Sequence, residues 1–216
     1  MDVPQQPHNP FTAVLPLYVT YEEIRRNSDT LQLMPERPER RGPEPTAIDL
    51  GHALGAKRQQ FDATAQRDHL ARLFASPEAH RRLAKAKKIV AFDCGSMVPK
   101  EGEEDQYRVE GQGQLTLADR ALTQHALLLE LRKLLSQLRR GREIPCFVQH
   151  AAYEEADKQL LESLGVTVLE NPDGFLEVDE STLVFSIAAA IPVKQVVADI
   201  ARPAAIVWDN LTQTEL

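Results

Sequence analysis

Five short apolar runs rich in β-branched residues mark the second half of the chain. They occupy residues 88–94, 145–149, 166–170, 182–188 and 204–209. Runs of this length, apolar at successive positions, are typical of parallel strands that are buried on both faces. The pattern therefore predicts five strands covered by helices.

Amphipathic helical patterns separate these runs. Two helix faces are formed by Leu127, Leu131, Leu134, Leu135 and Leu138, and by Tyr153, Ala156, Leu160, Leu161 and Leu164. Gly165 then ends the second helix as a left-handed cap, and Pro192 begins a third that runs to about Ala201. The alternation predicts an α/β fold: a Rossmann-like open parallel sheet of about five strands with helices on both faces. Right-handed crossovers on either side of the first strand give the strand order 3-2-1-4-5.

Residues 1–85 lack this alternation and are interpreted as a mainly helical N-terminal extension of a domain at 86–216. After an irregular lead, Thr20 caps a predicted helix that ends near Leu33. Four prolines and many charged residues in segment 34–46 predict a linker.

Two more helices are predicted in the extension, over 59–73 and 77–86. Ser76 is suited to cap the second, because a proline follows it at the first helical position. Within the domain, the polar, glycine-containing loop 99–114 is predicted to be a lid over the first-strand turn.

Composition narrows the function classes. The net charge is −7 and the pI is near 5.4, which argues against a nonspecific nucleic-acid binder. Basic clusters at 81–88 and 139–142 are interpreted as solvated helix ends. No apolar run reaches the roughly 18 residues that span a membrane, and the N-terminus does not follow the layout of a signal peptide. Two cysteines fit a reducing compartment, so a cytoplasmic or nuclear location is expected.

The turn after the first strand carries candidate chemistry. Ligands of open parallel sheets bind outside the carboxyl ends of the strands, where strand order reverses. Gly95 permits close backbone approach there, and Asp93 could accept hydrogen bonds from ribose-like hydroxyls. The dinucleotide motif G-x-G-x-x-G and the phosphate-binding P-loop motif are both absent from the sequence.

Several short motifs, taken in order, resemble the sensitivity-to-red-light-reduced (SRR-type) family, and fungal members in particular. The resemblance covers about residues 85–210 and rests on Asp93-Cys94-Gly95-Ser96, Gln124-His125-Ala126, Gln149-His150-Ala151, Tyr153, Asp157, Leu164-Gly165-Val166, Asn171-Pro172 and Ile191-Pro192-Val193. It implies a role in regulation, since family members are linked to light and clock signalling in plants and to haem metabolism elsewhere. It implies no particular reaction.

One position departs from the family pattern. Family members typically have Asp-Pro where this chain has His150 and Ala151. The change removes a charge and adds a titratable ring at the end of the second strand. The family's ligand therefore cannot be transferred to this chain unchanged.

The sequence predicts a ligand site at the carboxyl edge of the sheet. Its candidate residues are Asp93, Cys94, Gly95, Ser96, His125, Gln149, His150, Tyr153, Asp157, Asn171 and Ser186. Other chemistries stay open: Cys94 with His125 and His150 could bind haem or a metal ion, and Cys94 could act as a nucleophile. No metal site is assigned, and no residue is assigned as catalytic.

The leading hypothesis is a small-molecule-binding regulatory protein. One alternative is an enzyme that uses a nucleotide-type cofactor such as S-adenosylmethionine. Another is an interaction module without a ligand. A protein partner or a homodimer is compatible with each hypothesis, whereas nucleic acid and membrane are not expected as partners.

Overall fold

The computed structural model describes residues 44–100 and 116–208. The irregular lead, the helix expected from Thr20 to Leu33 and nearly all of the linker lie outside these residues. So does most of the predicted lid, from 101 to 114.

The sheet has five strands: β1 (Lys88–Phe92), β2 (Cys146–Gln149), β3 (Thr167–Leu169), β4 (Thr182–Ser186) and β5 (Ala205–Trp208). All neighbouring pairs are parallel, and the spatial order is β3-β2-β1-β4-β5. The predicted α/β fold and strand order are therefore confirmed. The sheet reverses its order at β1, which places the switch point between the ends of β1, β2 and β4.

Seven helices lie in the described part of the chain: α1 (Ala47–Asp62), α2 (Ala65–Ala75), α3 (Pro77–Leu83), α4 (Leu117–Leu138), α5 (Glu155–Ser163), α6 (Asp173–Leu176) and α7 (Val193–Ile200). None of these helices is long and apolar enough to cross a bilayer.

Successive residues of β1 pack into two different apolar clusters. Ile89 and Ala91 join a large cluster with side chains of α1, α4 and α5. Val90 and Phe92 join a smaller one with Val193 and Val197 of α7. Side chains alternate across a strand, so the sheet is covered on both faces. This two-sided burial is the reason why most successive positions of the strand runs are apolar.

The predicted helix over 59–73 is wrong, because this segment is divided between α1 and α2. The side chain of Thr64 donates to the carbonyl of Phe61 at 2.7 Å and accepts from the N–H of Arg67 at 3.2 Å. One threonine thus ends α1 and caps α2. The short α6 and most of α1 had not been predicted.

Capping explains where α1 begins. Thr46 and Asp49 form a capping box in which each side chain accepts from the other residue's backbone N–H. Only two residues of α1, Leu50 and Leu54, are buried, so the helix carries little of the apolar pattern that reveals a helix in a sequence.

The caps at Ser76 and Gly165 are confirmed. The Ser76 hydroxyl accepts from the N–H of Ala79 at 3.1 Å, and Gly165 has a φ of +67°. The N-terminal extension shares the core of the sheet: Leu50, Leu54, Phe74, Ala79 and Leu83 belong to the same cluster as β1 and α4. The division at residues 85 and 86 stays a prediction.

Because α1 packs on the sheet domain, its buried leucine is expected to stabilise the whole fold. Leu54 is 2% exposed, so we expect Leu54→Ala to lower the free energy of unfolding by about 2–5 kcal/mol. Ile48 lies on the same helix and is 70% exposed, so Ile48→Ala should cost less than about 1 kcal/mol. Urea unfolding measures both variants, and equal losses would contradict the docking of α1.

Candidate functional site at the carboxyl edge of the sheet

A cavity of about 260 Å³, here called the edge cavity, lies at the carboxyl ends of the strands. It is lined by Asp93, Cys94, Gly95, Ser96, Lys100, Leu117, Arg120, His150, Ala152, Ala188 and Ala190. These residues follow β1, β2 and β4 or begin α4. The cavity therefore sits at the switch point of the sheet. Among its lining residues are Asp93, Cys94, Gly95, Ser96 and His150, which the sequence had placed in the site.

The turn after β1 has an unusual backbone. Asp93 and Gly95 both lie in the left-handed region, with φ of +59° and +82°. A Cβ added to Gly95 would lie 3.2 Å from the Cβ of Ala121 on α4. Glycine is therefore required at this position by its φ and by its close approach to the helix. Residues held in this region cluster at functional sites.

Asp93 forms an ion-pair-like contact with His150. Its Oδ1 accepts from Nδ1 of His150 at 2.6 Å, and its Oδ2 accepts from the N–H of Ala190 at 2.5 Å. Burial raises the pKa of Asp93, but hydrogen bonds from His150 and Ala190 and the nearby Arg120 outweigh it and hold this pKa below its usual value. An ionised Asp93 requires the proton of His150 on Nδ1, which leaves Nε2 as the acceptor when the ring is neutral.

Asp157 holds the turn from the side of α5. Its Oδ2 accepts from the Ser96 hydroxyl at 2.6 Å and from the N–H of Glu154 at 2.9 Å. Its Oδ1 accepts from the N–H of Met97 at 2.9 Å. The residue is fully buried and does not line the edge cavity. Asp157 is therefore placed to fix the Ser96 turn on α5 rather than to contact a ligand.

His125 is buried behind the site. Its Nδ1 donates to the carbonyl of Ala121 at 2.7 Å, and its Nε2 accepts from the Tyr153 hydroxyl at 2.9 Å. Burial lowers the pKa of His125 to about 4. The Tyr153 ring also contacts His150, with ring centroids 5.3 Å apart. Because Tyr153 occupies His125 Nε2, the two histidines do not present free nitrogens to one ligand.

The thiols of Cys94 and Cys146 are also buried. Burial raises the pKa of Cys94 far above its ordinary value, and that of Cys146 to about 12. Both cysteines are free. In the described residues, no group of three or more His, Cys, Asp or Glu side chains could hold a metal ion. The geometry therefore supports neither the nucleophilic cysteine nor the Cys94, His125 and His150 cluster.

Three other predicted site residues lie away from the edge cavity. Gln149 accepts from the N–H of Gly174 at 2.8 Å and donates to Oδ1 of Asn171 at 3.3 Å. A Cβ on Gly174 would lie 2.6 Å from Oε1 of Gln149, so this contact depends on glycine. Ser186 is buried at the end of β4 and is not among the lining residues. Gln149 and Asn171 thus join β2 to the segment before α6.

Sequence reasoning missed the cationic side chains of the edge cavity. Nη2 of Arg120 donates to the carbonyl of Ala188 at 2.9 Å, and Nζ of Lys100 lies 3.6 Å from Oε1 of Glu154. A signal for Arg120 does exist in the sequence. Thr116 caps α4 by accepting from the N–H of Asp119, which places Arg120 at the start of the helix and therefore at the carboxyl edge.

The buried His125 should make stability depend on pH. Its pKa falls from 6.5 in the unfolded chain to about 4 in the folded protein, so the unfolded state binds more protons between these values. Stability is thus highest above pH 6.5 and falls as the pH drops towards 4. We expect the wild type to lose roughly 3 kcal/mol more than His125→Gln between pH 7 and pH 4.

Denaturant unfolding at several pH values measures this difference. His52→Gln is the matched control, because His52 is exposed on α1 and should leave the wild-type slope unchanged. A His125→Gln variant that keeps the full wild-type slope would contradict the burial of a neutral imidazole. Asp157 and His150 also act on the His125 ring, so both are left in place in every variant.

Of the comparisons with known proteins, only the one with protein-family models gives a match. No curated protein and no solved structure matches the chain. A sequence model of the SRR1 domain family matches residues 67–216, from within α2 to the last residue. This match covers more than two-thirds of the chain and confirms the resemblance found in the motifs after β1, β2 and α5. The chain therefore belongs to the SRR1 domain family.

Proposed function

We propose that this SRR-type chain is a regulatory protein that binds a small ligand carrying a phosphate or carboxylate group in the edge cavity. The observation that supports the proposal is the meeting of cationic side chains and backbone N–H groups at one cavity. The family membership supports an SRR-type role. The ligand itself is proposed from the geometry.

The side chains at the edge cavity favour an anion. Arg120 and Lys100 bring two positive charges to the lining. The acids beside them are Asp93 in the lining and Glu154, whose Oε1 lies 3.6 Å from Nζ of Lys100. Asp93 is already engaged by His150 and Ala190. A guanidinium can bind a carboxylate or a phosphate through two parallel hydrogen bonds. An anionic group near Arg120 is thus the best complement to the charges of the lining.

The backbone of the turn adds donors. Within the described residues, the N–H groups of Gly95 and Ser96 donate to no acceptor, whereas those of Asp93 and Met97 do. Successive N–H groups of a turn with left-handed residues make concave anion sites. Leu117, in the first turn of the 22-residue helix α4, also lines the cavity, and a helix N-terminus favours negative charge.

The size of the edge cavity favours a small ligand. Its volume of about 260 Å³ lies just below the range of roughly 300–1,000 Å³ that is typical of drug-sized sites. Haem gains no support, because Cys94 is buried and both ring nitrogens of His125 are engaged. The enzyme that uses S-adenosylmethionine stays a hypothesis that no contact at the cavity specifically favours.

Arg120 provides the most direct test by mutation. We expect Arg120→Gln to weaken the binding of a small phosphate or carboxylate ligand by about tenfold or more, since a hydrogen bond to a charged group contributes about 1.5–3 kcal/mol. Isothermal titration calorimetry with inorganic phosphate, and then with a panel of small phosphate and carboxylate compounds, measures the affinity.

Arg72→Gln is the matched control for this experiment. Arg72 is an exposed arginine of α2 that does not line the edge cavity, so its loss changes the net charge equally. Affinity that falls by the same factor in both variants would show a general charge effect and would contradict the proposed site. So would binding that survives unchanged in Arg120→Gln.

A further inference from the structure

Two basic segments that lie far apart in the sequence form one cleft at the other edge of the sheet. This basic cleft has a volume of about 330 Å³. It is lined by His80, Ala84, Leu138, Arg139, Arg140 and Arg142. The first two belong to α3 and the segment after it, and the others to the end of α4 and the loop that follows. The sequence pattern alone had indicated only two separate, solvated helix ends.

Arg139 makes the two segments a single surface. Its Nη1 donates to the carbonyl of Ala84 at 3.1 Å and to that of Ala86 at 3.2 Å. The carbonyls at the end of α3 are thereby satisfied by a side chain from the end of α4. Lys85 and Lys87 do not line the cleft, but each adjoins in the chain a residue whose carbonyl Arg139 contacts.

The charge of the basic cleft is largely uncompensated. Within the described residues, Lys85, Lys87, Arg140 and Arg142 have no ion-pair partner, and all four are exposed. The nearby acid Glu78 already contacts Arg81 and Arg82, and Glu143 lies 3.6 Å from Arg132. A chain with a net charge of −7 thus presents a strongly positive surface here.

The backbone at Arg140 also distinguishes the cleft. Arg140 has a φ of +58° and precedes Gly141, whose φ is +78°. A left-handed conformation costs a residue with a Cβ about 1–2 kcal/mol, and glycine or asparagine would hold it at lower cost. The chain nevertheless holds a long cationic side chain at this strained position. The same turn closes α4, because the N–H groups of Arg140 and Gly141 donate to the carbonyls of Gln137 and Ser136.

The basic cleft is independent of the edge cavity. Arg120 and Arg139 lie 19 positions apart on and beside α4, and at 1.5 Å per residue they are separated by about 28 Å along the helix. Lys87 and Lys88 enter β1 from its amino end, so the cleft lies at the amino edge. Both surfaces can therefore be occupied at the same time.

We propose that the basic cleft binds an acidic segment of a partner protein. Carboxylate side chains of a single extended chain match its open, shallow form and its exposed Arg140 and Arg142, since arginine binds carboxylates bidentately. No Phe, Tyr or Trp lines the cleft, and His80 is the one aromatic ring in the lining, so nucleic-acid bases would find little of the aromatic stacking surface that single strands use. Only Leu138 supplies a large apolar side chain, which is too little for insertion into a bilayer.

A fluorescent hexaglutamate peptide tests the proposal by anisotropy at low and at physiological salt. We expect the wild type to bind the peptide, more weakly as salt rises, and Arg140→Glu/Arg142→Glu to reduce the affinity by about tenfold or more. Arg72→Glu/Lys194→Glu is the matched control. It makes the same change in net charge at exposed positions outside the cleft and should retain most of the affinity. Thermal melts verify that both variants fold.

Three outcomes would overturn the proposal. The first is no peptide binding by the wild type at low salt. The second is an equal loss of affinity in the two double variants, which would indicate a general charge effect. The third is tighter binding of a single-stranded oligonucleotide, or of phosphatidylserine vesicles, than of the peptide, with loss in Arg140→Glu/Arg142→Glu. That result would assign the cleft to a different class of partner.

Discussion

The carboxylate of Asp93 joins the ends of the three central strands. It follows β1 directly, accepts from His150 after β2 through one oxygen, and accepts from the N–H of Ala190 after β4 through the other. These strands meet at the switch point, where neighbouring crossovers diverge to opposite faces of the sheet. A single, partly buried carboxylate thus links the loops that follow these three strands. Asp93 makes both contacts from a left-handed backbone conformation, which is energetically unfavourable for a residue with a Cβ.

Further hydrogen bonds fix the turn after β1 and the loop after β4, which Asp93 links. Asp157 holds Ser96 and Met97 against α5, and Arg120 holds the carbonyl of Ala188 against α4. Gly95 and Ser96, which these contacts hold in place, line the edge cavity. The proposed anion site is therefore largely formed before a ligand arrives, which lowers the entropic cost of binding.

The strands and their order were predictable because burial on both faces of the sheet produces short apolar runs in the sequence. After Lys88, the four remaining residues of β1 alternate between two apolar clusters, so four successive positions are apolar. The helix α1 was missed because it buries only Leu50 and Leu54 and begins with a capping box, not with an apolar pattern. The break between α1 and α2 was missed because one threonine, Thr64, decides it.

The candidate site was predictable where the backbone alone determines position. Asp93, Gly95, Ser96 and His150 follow strand ends, and the carboxyl ends of parallel strands meet at one edge. Side-chain direction was not predictable in this way. Gln149 instead contacts Gly174, and His125 faces inwards to Tyr153.

The cations were missed for a related reason. The place of Arg120 depends on where α4 begins, and that of Lys100 on a loop without a periodic pattern. The structure gives His150 a role, because its Nδ1 donates a hydrogen bond to Oδ1 of Asp93. An aspartate at this position would instead place a second carboxylate beside Asp93.

The most direct measurement is a chemical-shift map of the isotope-labelled protein during titration with inorganic phosphate. If the edge cavity is an anion site, the amide signals of Gly95 and Ser96 and the guanidinium signal of Arg120 shift together and saturate with one affinity. The amides around Arg140 and Arg142 serve as the internal comparison at the opposite end of α4. Shifts confined to the Arg140 region, with none at Gly95 and Ser96, would contradict an anion site at the carboxyl edge.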